Sequence, residues 1–218
     1  MPASSLLPKL NKGAIVVVDV KTSQTTTIAF QYNPETVTRS LTPKMETGPR
    51  MQGLYFEGAP DETFSLKIMI DAADQLETGE KTAQRKGIYP QLAALEAMVY
   101  PQSQQVKEMA KLVQKGQIEV GIRYDAPLTL FVWGPARVVP VTIQSFSITE
   151  QAFDSTLNPI RAEMDISLKA LSYDDVHPDH KAHKLFLTYQ QNKEKLAGDA
   201  ATQNANQVVG FDVSGRVR

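Results

Sequence analysis

The stretch RAEMDISLKAL, residues 161–171, alternates between apolar and polar residues along its whole length. One face carries only apolar side chains, and the other carries charged or hydroxyl side chains. The apolar face consists of Ala162, Met164, Ile166, Leu168 and Ala170. The polar face consists of Arg161, Glu163, Asp165, Ser167 and Lys169. A period of two predicts a strand that is buried on one face. Because parallel sheets are usually covered on both faces, the pattern favours an antiparallel sheet.

Further strand patterns lie on both sides of this stretch. The segment 63–71 repeats the alternation, and β-branched or apolar runs predict the remaining strands at 13–20, 26–31, 36–41, 117–124, 127–133 and 137–150. The polar, acidic segment 71–86 lacks a clear period and is predicted to be a loop.

Helical spacing is found at three places. Apolar residues at Ile88, Leu92, Leu95 and Val99 predict a buried central helix that ends before Pro101. A polar helix is predicted over 103–115. A final helix is predicted to begin near His177 and to end near Gly198, with a stripe at helical spacing formed by Ala182, Phe186, Tyr189, Lys193 and Leu196.

Together these elements predict a mostly β, α+β chain with about seven strands. The expected architecture is an antiparallel β-barrel, closed or nearly closed, or two packed sheets, with a flanking helix and a C-terminal helical arm. The predicted divisions are a β domain over 1–172, a helical arm over 173–198 and a flexible or partner-bound tail over 199–218.

Composition limits the possible functions. The net charge is −1, which argues against an electrostatic grip on nucleic acid or anionic lipid. The chain has no cysteine, which excludes disulfides, thiolate metal sites and cysteine nucleophiles. No run approaches the ~20 apolar residues of a membrane span, and no signal peptide pattern is present. We therefore expect a soluble protein, made in the cytoplasm, without membrane insertion.

The corner FQYNPETVTRS, residues 30–40, separates two strand patterns. Pro34 restricts Asn33 to extended geometry and so fixes a rigid corner. Such a corner is an ordinary turn, a ligand loop, or a surface that presents Tyr32 and Glu35 to another copy of the chain.

The segment LTPKMETGPRMQGLYFEGAP, residues 41–60, is rich in proline and glycine and is predicted to be a long loop. Tyr55 and Phe56 lie in it as candidate aromatic anchors of a subunit contact. Base stacking by these rings is the alternative, but it needs a basic field that the composition does not provide.

Two clusters raise the possibility of metal chemistry. His177, His180 and His183 follow one another at spacings of three, with Asp174, Asp175 and Asp179 nearby. The preferred interpretation is the start of a helix, because proline and aspartate favour the first turn. The acids Asp61, Glu62, Asp71, Asp74, Glu77 and Glu80 are interpreted as solvated loop charges. No Walker, G-x-S-x-G or G-x-G-x-x-G sequence occurs, so no catalytic, cofactor or metal site is predicted.

Several stretches, taken in order, resemble the tube-domain family of contractile injection systems, which are phage-tail-like particles. They span roughly 13–196 and are FQYNPETVTRS (30–40), GLYFEGAPDETFSLKIMIDAADQLETG (53–79), PQLAALEAMVYP (90–101), LTLFVWG (128–134), SFSITEQAFDSTLNPIRAEMDISLKAL (145–171) and SYDDVHPDH (172–180). Within this family the chain resembles the LysM-type baseplate proteins that join the spike hub to the inner tube. It departs from them after the last helix, because residues 199–218 are too short for a LysM module.

This resemblance implies a non-enzymatic structural protein without a cofactor. It implies a ring, most simply six-fold, that contacts the spike hub protein, the tube protein and other baseplate components, and that starts tube assembly. The particle would be assembled in the cytoplasm. The main inner-tube protein and a small carbohydrate- or ligand-binding β-domain are the alternatives, and a hydrolase using the histidines is a third. The candidate interface residues are Tyr32, Asn33, Pro34, Glu35, Tyr55, Phe56, Phe186 and Tyr189.

Overall fold

The computed structural model describes residues 11–18, 25–46, 55–116 and 124–200. These residues form seven strands and five helices. The strands are β1 Ala14–Val18, β2 Thr25–Ala29, β3 Val37–Thr42, β4 Asp61–Asp71, β5 Leu128–Val132, β6 Val138–Phe153 and β7 Pro159–Ala170. The helices are α1 Ala73–Glu77, α2 Lys81–Lys86, α3 Tyr89–Glu96, α4 Ser103–Gln114 and α5 Lys181–Ala200.

All seven strands belong to one antiparallel sheet in the order β2-β1-β5-β6-β7-β4-β3. The mostly β, antiparallel fold class with a C-terminal helix is therefore confirmed. The expected closure into a barrel, or division into two sheets, is not observed. The described residues form a single open sheet whose edges are β2 and β3. The reason lies in β3, which pairs with β4 only as far as Val37 opposite Leu66. The second half of β4 consequently has no strand beside it on that side among the described residues.

The sheet is nevertheless strongly coiled. The rings of Phe64 on β4 and Phe131 on β5 have centroids 5.2 Å apart, although β6 and β7 lie between these strands. In a flat sheet, three strand spacings would separate them by about 14 Å. Leu92 and Leu95 of α3 are buried in the same apolar core as both rings. The prediction of a buried central helix is thus confirmed for Leu92 and Leu95, whereas Val99 lies beyond the end of α3 and is exposed. Helix α3 fills the concave side of the sheet.

The alternation that predicted β7 is confirmed by its burial. Its apolar face is buried, and β7 pairs with β4 from Thr63 opposite Lys169 to Asp71 opposite Arg161. On its other side it forms a long hairpin with β6, interrupted by one irregularity between Ile143 and Ser145. The strands β6, β7 and β4 are the longest of the sheet, and each is paired with a neighbour along most of its length.

Other predictions need correction or lie outside the described residues. The segment 71–86 was expected to be a loop but forms the short helices α1 and α2, each followed by a glycine with positive φ, Gly79 and Gly87. The last helix begins at Lys181 rather than near His177. The strand predicted over 117–124, part of the long loop (47–54) and the tail 201–218 fall largely or wholly outside the described residues.

Candidate assembly surfaces

The Asn-Pro corner is held against the start of β1. The backbone N–H of Gly13 donates to Oδ1 of Asn33 at 2.8 Å, and Nδ2 of Asn33 donates to the carbonyl of Asn11 at 3.0 Å. Tyr32 and Glu35 lie exposed beside it. Asn33 therefore fixes the corner within its own chain, and two neighbouring side chains remain available at the surface.

Gln31, beside this corner, connects the two sides of the open sheet. Its Nε2 donates to the carbonyl of Asp71 at 2.7 Å, and the N–H of Asp71 donates to its Oε1 at 2.9 Å. The side-chain amide thus makes the pair of bonds that a neighbouring strand would make. The Asp71 carboxylate accepts from Arg161 at 2.6 and 2.7 Å and from the N–H of Ala73 at 2.7 Å. The sequence analysis missed this hydrogen-bond network because Gln31, Asp71 and Arg161 are far apart in the chain.

The described part of the long loop extends the β3–β4 hairpin beyond Asp61. Met45 and Phe56 form an isolated bridge, and Ala59 is tied down by its N–H, which donates to Oδ2 of Asp174 at 2.7 Å. Tyr55 and Phe56 are 53% and 74% exposed. The loop therefore holds two aromatic side chains in solvent at one end of β4.

Two further exposed apolar surfaces were missed by the sequence analysis. Helix α4 has no buried residue, and its apolar side chains share one face through the spacing of Val106, Met109, Ala110 and Val113. That spacing is readable from the sequence and could have been recognised as amphipathic. The other surface is the tip of the β6–β7 hairpin, where Leu157 is 79% exposed and has a φ of 64°. Contiguous exposed apolar surface is a candidate for contact with another chain.

Helix α5 is attached to the sheet through a buried carboxylate. Glu62 on β4 is 1% exposed. It accepts from the hydroxyl of Tyr189 at 2.7 Å and from Nζ of Lys193 at 2.8 Å. Burial, together with the adjacent Glu62 carboxylate, raises the pKa of Tyr189. Phe186 and Tyr189, which the sequence analysis named as candidate interface residues, are both buried in the core of their own chain.

The acidic residues do not behave as one group. Asp74, Glu77 and Glu80 are exposed, as expected of solvated charges. Glu62 and Asp71 are buried, so the interpretation as solvated loop charges is wrong for these two. Both lie on β4, and each is compensated by a cation, Lys193 or Arg161. Their chemistry is that of paired structural carboxylates.

The histidines lie around the start of α5. Nδ1 of His180 accepts from the N–H of Ala182 at 3.1 Å, and the ring of His183 meets Tyr173 edge-on. The described ranges contain no group of three His, Cys, Asp or Glu residues placed to hold a metal ion. Within the same ranges, no helix has the length and apolar character needed to cross a membrane. Trp133 packs against the core and stacks on Phe131.

Open sheet edges and exposed aromatic and aliphatic patches are typical of proteins that assemble with other chains. The family model described as "Contractile injection system tube protein" matches residues 9–177, well over half of the chain. The chain therefore belongs to the contractile injection system tube protein family.

No curated protein matches the chain. Eight chains among the solved structures match it. One is the tail of an empty gene transfer agent (GTA) particle, computed with helical refinement and C6 symmetry. That alignment covers 72% of this chain and 90% of the other, with 13% identity and a TM-score of 0.30.

Proposed function

We propose that this chain is a structural baseplate component of a contractile injection system. In this proposal it forms a six-membered ring, joins the spike hub to the inner tube, and starts tube assembly in the cytoplasm as part of a phage-tail-like particle. The ring contacts the hub protein, the tube protein and other baseplate components, and it performs no catalysis. Membership in the tube protein family supports the structural role.

The observation that carries the ring is the pair of different sheet edges, β2 and β3, at opposite sides of one open sheet. An edge strand presents backbone N–H and C=O groups that can pair with a strand of another chain. When the edge of one copy meets a different edge of the next, the contact is heterologous and produces a ring if the rotation closes. A ring would therefore satisfy both edges of every copy.

The C-terminal helix favours a baseplate role over the main tube role. The family match ends at residue 177, and α5 lies beyond it. Glu62 holds α5 firmly to the sheet through Tyr189 and Lys193. A helix added to the tube fold gives the ring a surface for partners other than the tube. Phe186 and Tyr189 contribute to this surface by holding α5 in position.

The proposed subunit contacts lie in the corner and in the long loop. Tyr32, Asn33, Pro34 and Glu35 form the corner, and Asn33 fixes its shape. Tyr55 and Phe56 provide the exposed aromatic anchors. The division into 1–172, 173–198 and 199–218 stays a prediction.

Alanine substitution of both loop aromatics tests this contact. Because aromatic anchors each contribute about 2 kcal/mol or more to an interface, Tyr55→Ala with Phe56→Ala should abolish ring formation, seen by electron microscopy and light scattering. Far-UV circular dichroism should be unchanged, since both side chains lie in solvent. Tyr100→Ala, at another exposed tyrosine, is the matched control. If the double variant forms rings like the parent, the loop is not a subunit contact.

The main inner-tube role is the second candidate, because the family is named for the tube. Purified protein distinguishes the two roles. A baseplate ring should stop at a single ring or a short stack, whereas a main tube protein should polymerise into long tubes.

A further inference from the structure

Helix α5 crosses the sheet from β5 toward the edge strand β3. At the start of the helix, His180 lines a cavity together with Leu128 of β5 and Val141 of β6. Nine residues later, the hydroxyl of Tyr189 donates to Glu62 on β4. Nine helical residues advance about 13 Å, and two to three strand spacings amount to about 10–14 Å. The helix therefore runs across the strands rather than along them.

The last turns of α5 extend beyond the edge of the sheet. Lys193 contacts β4 through the carboxylate of Glu62 at 2.8 Å. From there to Ala200 the helix advances about 10 Å, which corresponds to about two strand spacings, one for β3 and one for a further strand beside it. Residues 194–200 are all exposed, as expected where no sheet lies beneath them. The chain therefore leaves the described structure beside the outer edge of β3.

Two exposed leucines provide uncovered apolar surface at this edge. Leu41 of β3 lies opposite Glu62 in the strand register and is 44% exposed. Leu196 follows Lys193 by one turn on the same face of α5 and is 57% exposed. On its outer side, β3 has no neighbouring strand among the described residues. The edge thus offers apolar contacts and backbone hydrogen-bonding groups together.

We propose that the C-terminal segment 201–218 pairs with the outer edge of β3 in its own chain, through residues 208–213. The sequence VVGFDV alternates, with Val209, Phe211 and Val213 on one face. Its length matches that of β3, which has six residues. Residues 201–207 can span up to about 23 Å, which exceeds the roughly 10 Å between packed layers. The segment is therefore long enough to descend from α5 and to lie along β3.

In this position, the apolar face of the added strand covers Leu41 and packs beneath Leu196. Addition of a strand to a sheet edge combines main-chain hydrogen bonds with side-chain contacts. The consequence for assembly rests on the proposed ring, in which β3 meets β2 of a neighbouring copy. The C-terminal segment and that β2 strand compete for the same edge. The free chain thus protects β3 until a neighbour displaces the segment.

Hydrogen exchange, measured by mass spectrometry on dilute monomeric protein, tests the pairing. Phe211→Pro removes the aromatic side chain and places a proline in the middle of the added strand. In this variant the amides of β3 and of residues 208–213 should exchange about tenfold faster than in the parent, while those of β7 should not change. Gln203→Pro, in the connecting residues, is the matched control and should behave like the parent. Equal exchange of β3 in all three proteins would overturn the proposal.

Cross-linking tests the position of the segment, because the chain has no native cysteine. Leu41→Cys combined with Phe211→Cys, treated with a short bis-maleimide, should give a link within one chain, identified by peptide mass spectrometry. Thr27→Cys combined with Phe211→Cys is the matched control, since Thr27 is exposed on the other edge strand, β2. The control should give no such link. Links only between chains, or equal linking to both edges, would overturn the proposal.

Assembly measures the competition. If the segment occupies β3 about nine-tenths of the time, about one chain in ten can pair with a neighbour, so Phe211→Pro should lower the half-assembly concentration about tenfold. Gln203→Pro should leave this concentration unchanged. Rings without the link within one chain would overturn the position of the segment and leave the ring proposal intact. The link in a chain that never forms rings would support the position of the segment and overturn the ring. The link together with unchanged assembly of Phe211→Pro would overturn the competition.

Discussion

At the scale of single residues, the carboxylate of Glu62 couples the C-terminal helix to the sheet. It is buried and accepts hydrogen bonds from Tyr189 and Lys193, while Nζ of Lys193 lies 3.9 Å from the centre of the Tyr189 ring. A buried charge is tolerated only when it is paired and hydrogen-bonded. The position of α5 is therefore determined by this one acid as well as by its apolar stripe.

Removing the Tyr189 hydroxyl tests this coupling. A hydrogen bond to a charged group contributes about 1.5–3 kcal/mol, so Tyr189→Phe should lower the free energy of unfolding by about that amount in urea titrations at pH 7. Thr188→Ala, at the exposed neighbouring position, should change it by less than about 0.5 kcal/mol. If the two variants are equally stable, the hydroxyl does not hold the helix.

The same residue predicts a dependence of stability on pH. The pKa of Tyr189 is raised above its ordinary value of 10.0. Burial of the phenol is the larger cause, and the neighbouring Glu62 is the smaller one. Folding thus favours the protonated phenol. Its contribution is complete below pH 10 and is lost as the pH rises above the unfolded pKa. Between pH 9 and about 12, the urea midpoint of the parent should fall more steeply than that of Tyr189→Phe. Parallel curves would contradict the raised pKa.

At the scale of elements, Gly87 determines how α2 and α3 meet the β6–β7 hairpin. Its φ is 54°, and a Cβ there would overlap the carbonyl of Pro159. Gly116 has a similar φ of 67° but open space around it. Gly116→Ala should therefore cost only the backbone strain of about 1–2 kcal/mol, and Gly87→Ala should cost clearly more. Thermal unfolding measures both, and equal losses would show that the close approach is unimportant.

The turn between β6 and β7 depends on Asp154. Its carboxylate accepts hydrogen bonds from the side chain and backbone of Asn158 and from Thr156. These bonds, led by the Asn158 side chain, lower the pKa of Asp154 from 3.8 to about 2.

Because this pKa is depressed, the carboxylate stabilises the turn above pH 3.8, and this contribution is lost as the pH falls from 3.8 to about 2. The melting temperature of the parent should drop more over this interval than that of Asp154→Asn. Asp199→Asn, at an exposed position on α5, should follow the parent. If Asp154→Asn also follows the parent, the turn does not depend on the charge.

The sequence predicted those elements whose pattern is local. The alternation at 161–171 and 63–71 identified β7 and β4, and the spacing of Leu92 and Leu95 identified α3, since both periods follow directly from burial of one face. Helices α1 and α2 were missed because they are short, polar and end at glycines. The burial of Glu62 was missed because its partners lie more than 120 residues away in the chain.

At the scale of the whole molecule, closure of the sheet could not be predicted from local patterns. It depends on how far β3 extends along β4 and on the use of the Gln31 side chain as a substitute for a strand. The candidate interface was predictable only in part. Tyr55 and Phe56 could be singled out in the long loop, whereas the burial of Phe186 and Tyr189 depends on the folded sheet.

The open sheet, the exposed loop aromatics and the two sheet edges, which have no neighbouring strand among the described residues, all suit a chain that completes its structure in an oligomer. The molecular mass of the purified full chain, measured by mass photometry over a range of concentrations and accompanied by electron microscopy, tests this claim most directly. We expect closed rings of six copies, each of 24.1 kDa, with few intermediate species. A chain that stays monomeric at every concentration, alone and with the hub and tube proteins proposed as its partners, would contradict it.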